Sequence, residues 1–185
     1  MRKKMATKRV RKKKGGSGAR KGGQFERDAC KKLSRLVLPK SKETVFWRSA
    51  SSGGRATVRH RQMVKGDSTQ AGDICAIHPA GNWMAENFLI ECKFYKSLDI
   101  ASGLLTGRGR LAAFWARTCR DAIRHKKRPM MIAKENRTPT LLLLTDEGDQ
   151  ALFYKYAVNS RKLLRSFQLK KALVFDFAHY IGARK

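Results

Sequence analysis

Between Gln24 and Pro39, apolar residues recur every three or four positions, which is the spacing of one face of a helix. They are Phe25, Ala29, Leu33, Leu36 and Val37. Pro39 lacks the amide hydrogen that a further helical turn requires. The pattern therefore predicts an amphipathic first helix that begins at Gln24 and ends before Pro39.

Short apolar and aromatic runs after this helix predict strands. They are ETVFWRSA at 43–50, DICAIH at 73–78 and FLIECKFY at 88–95. The turn-forming PAGN at 79–82 makes the last two neighbouring strands joined by a short connection. Residues 51–72 form a long polar, glycine-rich and basic segment, and loops of that length are usually functional or disordered.

The second half of the chain predicts a helix at 111–127, strands at 129–134 (PMMIAK) and 140–145 (TLLLLT), a helix at 160–167 (SRKLLRSF) and a last strand at 172–177 (ALVFDF). Helix, strands, helix and strands in this order predict an α/β fold layered around a mixed sheet.

The predicted helix at 111–127 has two different faces. Its apolar side consists of Leu111, Phe114, Trp115, Ala122 and Ile123, and its basic side of Arg117, Arg120, Arg124 and Lys127. The basic side would suit a groove for a nucleic-acid backbone. Phe114 and Trp115 would anchor the helix either to the sheet or to a second subunit, and the sequence fits both alternatives equally.

The net charge of +28 over 185 residues indicates a polyanionic partner, with nucleic acid favoured over an acidic membrane surface. Residues 1–23 contain no acid and predict a disordered basic arm, which either captures phosphates or is a dispensable tail. The length then favours one domain at 24–185. No apolar leader or membrane span is visible, and four cysteines without metal-finger spacing fit a reducing cytoplasm.

The motif FLIECKFYK carries the candidate chemistry. Side chains on a strand alternate between faces, so Glu91 and Lys93 share one face, and Ile90, Cys92 and Phe94 share the other. Cys92 is then a core residue. An isolated ion pair on a half-buried strand is costly to desolvate, so a compensating group is expected beside it.

Acid-x-base triplets are common by chance in so basic a chain. With 42 Lys and Arg and 14 Asp and Glu, roughly three such triplets are expected from composition alone. Glu135-x-Arg137 is another and is attributed to chance, although Arg137 is kept as a candidate phosphate contact.

Asp73 opens the preceding apolar strand, where strand pairing would bring its carboxylate close to Glu91. Two neighbouring carboxylates repel unless a cation lies between them, and hard oxygen ligands suit Mg²⁺ or Mn²⁺. Lys93 would orient a water molecule, stabilise charge on a phosphate or, with a lowered pKa, accept a proton. Glu26 on the first helix is a further acid that would face the sheet edge, although alone it would equally suit a pair with a neighbouring Lys or Arg.

Four segments in this order resemble the PD-(D/E)XK nuclease superfamily, specifically the archaeal-type Holliday junction resolvases and their phage counterparts. They are GQFERDACKKL at 23–33, FWRSASSGG at 46–54, GDICAI at 72–77 and FLIECKFYK at 88–96. The resemblance implies a restriction-endonuclease-like core, Mg²⁺-dependent cleavage of branched DNA by a homodimer, and action in the cytoplasm of a host cell if the chain is phage-encoded.

The resemblance also implies roles for individual residues. Glu26, Asp73 and Glu91 would be the metal ligands, Lys93 the catalytic lysine, and Ser52, chosen over Ser51, a serine near the scissile phosphate. Arg27 and Arg48 would face phosphates or support the site.

This sequence departs from the family pattern in two places. Gly72 stands where the family signature has proline, and the loop before Asp73 is longer and contains Asp67 as a competing candidate. Asp73 is preferred because it opens an apolar strand.

The basic stretch at 55–65 would grip a phosphate backbone or be a solvated loop, and DNA contact is favoured by the global charge. Its candidate residues are Arg55, Arg59, Arg61 and Lys65. Two alternatives to a junction resolvase remain: a nuclease of the same fold acting on duplex, flap or nicked DNA, and a non-catalytic nucleic-acid-binding protein.

Overall fold

The computed structural model describes residues 17–49, 71–156, 158, 163–165, 169 and 171–182. The helices are α1 (Ser17–Val37), α2 (Asn82–Asn87), α3 (Ile100–Thr106), α4 (Gly109–Arg124), α5 (Asp146–Tyr156) and α6 (Phe177–Ile181). The strands are β1 (Phe46–Arg48), β2 (Ile74–Ala76), β3 (Phe88–Tyr95), β4 (Arg128–Glu135), β5 (Leu141–Leu144), β6 (Leu163–Arg165) and β7 (Leu173–Asp176). A 3-10 turn, Pro79–Gly81, precedes α2.

Five of these strands form a mixed sheet in the order β3-β4-β5-β7-β6. The β3 and β4 strands are parallel, and the remaining pairs are antiparallel. The β1 and β2 strands form a separate antiparallel pair, which a bridge between Gly72 and Ile90 connects to β3. Among the described strands β3 is therefore an edge of the larger sheet.

Helices cover both faces of the sheet. Successive side chains on a strand point to opposite faces, so the strand residues contribute to two cores. Ile90 and Cys92 belong to a core with α1, α5 and α6, whereas Met131 and Ala133 belong to a core with Leu111 and Trp115 of α4. This arrangement confirms the predicted α/β fold with a mixed sheet flanked by helices.

The first helix is longer than its hydrophobic pattern predicts, because it begins at Ser17 and not at Gln24. Gly22 and Gly23 resemble a loop in the sequence, yet both lie inside the helix. A Cβ atom at Gly23 would lie 3.3 Å from a guanidinium nitrogen of Arg48, so a small residue suits this contact. The remainder of the expected arm, residues 1–16, lies outside the described residues.

Ser34 joins α1 to β1. Its buried Oγ donates a hydrogen bond to the carbonyl of Cys30 at 2.8 Å and accepts from the amides of Val45 and Phe46 at 3.0 and 3.1 Å. One hydroxyl therefore satisfies two buried amides before the β1 pairing begins.

The first two predicted strands are shorter than expected, with β1 at Phe46–Arg48 and β2 at Ile74–Ala76. The connection from β2 to β3 is also not a simple turn, since it contains the 3-10 turn and α2. The FLIECKFY strand has the predicted bounds.

One prediction in the C-terminal third is wrong, and another is confirmed with shorter bounds. Residues 163–165, inside the expected helix at 160–167, form β6 and pair with β7. The expected strand at 172–177 ends at Asp176, because Asp176 caps α6 by accepting from the amide of His179 at 2.9 Å. Helix α5 was not predicted.

Helix α4 ends at Arg124 and not at the predicted Lys127. Ile123, expected on the apolar side, is 76% exposed. Lys127, expected on the basic side, is buried, and its Nζ donates to the carbonyl of Ala85 at 2.5 Å. The basic side therefore consists of arginines only, while Trp115 packs in the core as predicted for an anchor to the sheet.

Candidate active site

Asp73 is held at the edge of β3 by its own backbone. Its amide donates to the carbonyl of Ile90 at 2.8 Å, and its carbonyl accepts from the amide of Ser49 at 2.9 Å. Its Oδ2 accepts from the amide of Cys92 at 2.8 Å. These bonds fix the Asp73 carboxylate beside the middle of β3.

Gly72 makes this attachment possible. Its φ of +94° lies in the region that favours glycine, and a Cβ atom would lie 2.6 Å from the carbonyl oxygen of Ile90. Ser49 Oγ also donates to the Gly72 carbonyl at 2.5 Å. Proline, with φ near −65°, does not fit this backbone.

Asp73, Glu91 and Lys93 form one polar cluster. Lys93 Nζ pairs with a carboxylate oxygen of Glu91 and lies 3.8 Å from Asp73 Oδ2. The side chains of Asp73, Lys93 and Glu91 are only 14%, 19% and 25% exposed. The structure thus brings together the three residues that the sequence predicted on this strand pair.

The pKa values in the cluster are shifted by burial and by the neighbouring charges. Burial is the largest cause that raises the pKa of Glu91, and the Asp73 charge raises it further against the opposing effect of Lys93. For Lys93, burial alone would lower the pKa, but the carboxylates of Glu91 and Asp73 together raise it. The neighbouring carboxylates thus favour the ammonium form of Lys93, and whether Lys93 orients a water molecule, stabilises charge on a phosphate or accepts a proton stays a prediction.

The carboxylates of Asp73 and Glu91 share the ammonium group of Lys93 at this site. Two neighbouring carboxylates are also a donor set that fits a divalent metal ion. Hard oxygen donors are the ligands that Mg²⁺ and Mn²⁺ prefer, and a bound dication would relieve the repulsion that raises the pKa of Glu91. Among the described residues, no group of three His, Cys, Asp or Glu side chains has the spacing of a metal site. The fit therefore rests on Asp73 and Glu91.

Glu26 has a different partner. Its carboxylate pairs with the guanidinium of Arg48, and the side chain is only 15% exposed. Its charge raises the pKa of Cys92, after burial and the charges of Asp73 and Cys30, so Glu26 lies near the inner side of β3. Its role as a third metal ligand stays a prediction, and Arg48 is placed as a support for Glu26.

The other candidate DNA contacts that the structure describes are Arg27 and Arg137. Arg27 donates to Gln24 on the surface of α1 at 2.9 Å, and Arg137 lies in the exposed turn after β4 with φ of 64°. Several candidates lie outside the described residues: Ser51, Ser52, Arg55, Arg59, Arg61, Lys65 and Asp67.

The second acid-x-base triplet has a structural function. Glu135 Oε2 accepts from the amide of Leu98 at 2.8 Å and lies 3.5 Å from the amide of Ile100. It thereby satisfies amides at the start of α3, where helical amides have no partner in the helix. This agrees with attributing Glu135-x-Arg137 to chance and not to chemistry.

Helix α4 contributes residues to the cluster that sequence analysis did not assign to it. The Phe114 ring stacks on Tyr95 with centroids 5.2 Å apart and lies 5.7 Å from Lys93 Nζ. Arg117, one turn later, lies close enough for its charge to lower the pKa of Glu91. The helical spacing of Phe114 and Arg117 was visible in the sequence, but the contact of α4 with β3 was not.

An acidic pair and a lysine beside the edge strand of a mixed sheet with helices on both faces define a nuclease of the PD-(D/E)XK class. A family described as "phage putative PDDEXK endonuclease" matches residues 17–177, and the chain belongs to this family. Nucleases of this class bind DNA and generally use divalent metal ions. No curated protein and no solved structure matches the chain. Among the described helices, none has the length and apolar character to cross a membrane.

Proposed function

We propose that this endonuclease is a metal-dependent enzyme that hydrolyses phosphodiester bonds in branched DNA as a Holliday junction resolvase. The observation that supports it most is the convergence of Asp73, Glu91 and Lys93 at the edge of the sheet, in a chain of net charge +28. The sequence resemblance to junction resolvases supports the choice of branched DNA. The enzyme acts as a homodimer in the host cytoplasm, with one cleavage site per subunit.

Asp73 and Glu91 are the residues that would hold the metal ion, which is Mg²⁺ or, in its place, Mn²⁺. When bound, a divalent ion supplies positive charge that stabilises the phosphate oxygens during displacement. Glu26 completes the ligand set in this proposal, and Ser52 is the serine proposed to act on the scissile phosphate.

Lys93 acts as a donor in this mechanism. Its ammonium group pairs with Glu91 and lies 3.8 Å from Asp73 Oδ2, where it orients the attacking water or donates a hydrogen bond to a phosphate oxygen. Phe114 packs against the lysine and helps to keep it at the edge of β3. The proton of the attacking water goes to solvent or to a carboxylate of the site.

Arg117 is the phosphate contact that α4 provides. Its side chain is 71% exposed, and its Nε lies 3.6 Å from a carboxylate oxygen of Asp121 on the next turn. A solvent-accessible guanidinium beside Glu91 can reach a phosphate on the strand being cut, and bidentate geometry suits that ligand.

The test compares a labelled four-way junction with its matched linear duplex, with Mg²⁺ or with chelator, for the wild type and Glu91→Ala. Paired symmetrical nicks in the junction alone, requiring both metal and Glu91, are the expected result. Equal cutting of both DNAs would replace the resolvase with a general nuclease. Binding without cutting under any condition would favour a non-catalytic binding protein.

A further inference from the structure

A second cluster of charged residues lies on the other face of the sheet from Asp73, Glu91 and Lys93, the cleavage cluster of the proposed function. It lines a pocket of about 270 Å³ between α1, the end of β4 and α6. The cations of this basic pocket are Lys31, Lys32, Arg35 and Lys134. Asp28 is the one acid that lines it, and its Oδ1 accepts from Gln24 at 2.9 Å.

Aromatic rings hold two of these cations in place. Lys32 Nζ lies 5.6 Å from the ring centroid of Phe177, and Lys134 Nζ lies 5.8 Å from that of Phe94. Phe177 and Phe25 form a buried apolar floor. Cation–π contacts of this kind order a lysine without neutralising its charge.

None of the four cations forms an ion pair within the described part of the chain. Four like charges around one concave surface repel one another unless an anion lies between them. The pocket therefore suits a phosphate group with adjoining sugar, since its volume is below the roughly 300–1,000 Å³ of sites that enclose whole small molecules.

The position of the basic pocket separates it from the cleavage cluster. Phe94 stacks on Phe25 of α1 with centroids 5.5 Å apart, whereas the preceding residue, Lys93, faces Phe114 on α4. Because Lys134 of β4 is the register partner of Phe94, the basic pocket and the cluster of Asp73, Glu91 and Lys93 lie on opposite faces of the sheet. A DNA strand at one site leaves the other free for a second segment of the same DNA.

We propose that the basic pocket binds a backbone phosphate of DNA outside the strand being cut. This inference rests on the proposed function for the identity of the polyanion and adds a second contact surface to it. A substrate that reaches both faces of the sheet edge must bend or branch, so the pocket would favour branched DNA over linear duplex.

The first test locates the contact by lysine acetylation and mass spectrometry of the full chain, without metal, in the presence of a four-way junction. We expect DNA to protect Lys31, Lys32 and Lys134 at least about threefold more than the exposed Lys40 and Lys171. Equal protection of all five lysines would overturn the proposal. Protection by thymidine monophosphate at concentrations where DNA gives none would assign the pocket to a free nucleotide.

The second test uses the double variant Lys32→Gln/Lys134→Gln and the matched control Lys40→Gln/Lys171→Gln. Loss of the one phosphate contact in the pocket should reduce the slope of log K against log salt by about 0.9, while the control pair should change it by less than about 0.3. Cleavage at saturating DNA should stay unchanged in the control variant. An unchanged slope in the pocket variant would contradict the proposal. Normal binding with no cleavage in the wild type would count against the proposed function alone.

Discussion

Single residues position the cluster of Asp73, Glu91 and Lys93, which is the proposed cleavage site. Asp73 reaches Glu91 only because Gly72 adopts a positive φ and lies against the backbone of Ile90. Lys93 remains between the two carboxylates because their charges outweigh the cost of its burial. The sequence was sufficient to predict these three charged residues, since alternation on a strand and the acid that opens the preceding strand are local patterns. The pairing of Glu26 with Arg48 was less predictable, because it joins two elements far apart in the chain.

Replacement of Gly72 tests this account at one position. Gly72→Ala should lower the free energy of unfolding by about 1–3 kcal/mol. Alanine is strained at this φ, and its Cβ would lie too close to the carbonyl oxygen of Ile90. Denaturant unfolding measures the change. Gly22→Ala is the matched control, because nothing lies within 4 Å of its Cβ position and alanine favours a helix, so this variant should be at least as stable as the wild type. Equal stability of the two variants would contradict the close approach.

Arg117 provides a test of the phosphate contact. Arg117→Ala should reduce kcat/KM for DNA cleavage about tenfold or more, because loss of one charge-assisted hydrogen bond to phosphate is worth about 1.5–3 kcal/mol. Arg120→Ala on the exposed surface of the same helix is the control and should change the rate less than about twofold. Steady-state kinetics at fixed ionic strength measures kcat/KM for the two variants and the wild type. An equal loss of kcat/KM in both variants would show that Arg117 contributes only to the overall positive charge of the protein and makes no specific phosphate contact.

The secondary-structure elements show where local patterns are sufficient and where they are not. Strand β3 and the core face of α1 have strong periodicity and were predicted. Residues 163–165 were assigned to a helix because a short apolar run fits either structure, and the choice depends on pairing with β7. Helix α5 has a weak apolar stripe, but Asp146, Glu147 and Asp149 in its first turn are a helix-start signal that the sequence offered.

The contact between α5 and α6 gives a prediction for alkaline pH. Tyr180 donates to Asp149 Oδ1 at 2.6 Å, and burial, followed by the hydrogen bond and the charge of Asp149, raises the pKa of Tyr180 from 10.0. A raised pKa in the folded state contributes stability that is present below pH 10 and is lost as the pH rises above it. The stability advantage of the wild type over Tyr180→Phe should therefore shrink by about 1.4 kcal/mol per pH unit above pH 10.

Chemical denaturation at about pH 9 and about pH 11 measures this difference. Tyr154→Phe serves as the control, since Tyr154 is 84% exposed and its replacement should leave the pH dependence of unfolding unchanged. A constant difference between wild type and Tyr180→Phe across this range would show that the phenol is not held in its neutral form by the fold.

The whole molecule combines a helix-flanked mixed sheet with a charge of +28, and its two charged clusters lie on opposite faces of that sheet. The fold class followed from the order of elements and the charge indicated the partner, because both depend on composition and local pattern. The basic pocket did not follow, because its cations come from α1 and β4, which are far apart in sequence. Nor did the approach of α4 to Lys93, which depends on how the helix packs on the sheet.

The central claim is that Asp73 and Glu91 form the cleavage site, and the most direct test is the Mg²⁺-dependent rate of DNA cleavage by Asp73→Asn and Glu91→Gln beside Glu86→Gln. Glu86 is exposed on α2, so its replacement removes one negative charge without touching the cluster. The account predicts that both cluster variants lose cleavage by at least about a thousandfold and bind DNA at least as tightly as the wild type, while Glu86→Gln cleaves normally. Cleavage by either cluster variant at the rate of the Glu86→Gln control would contradict it.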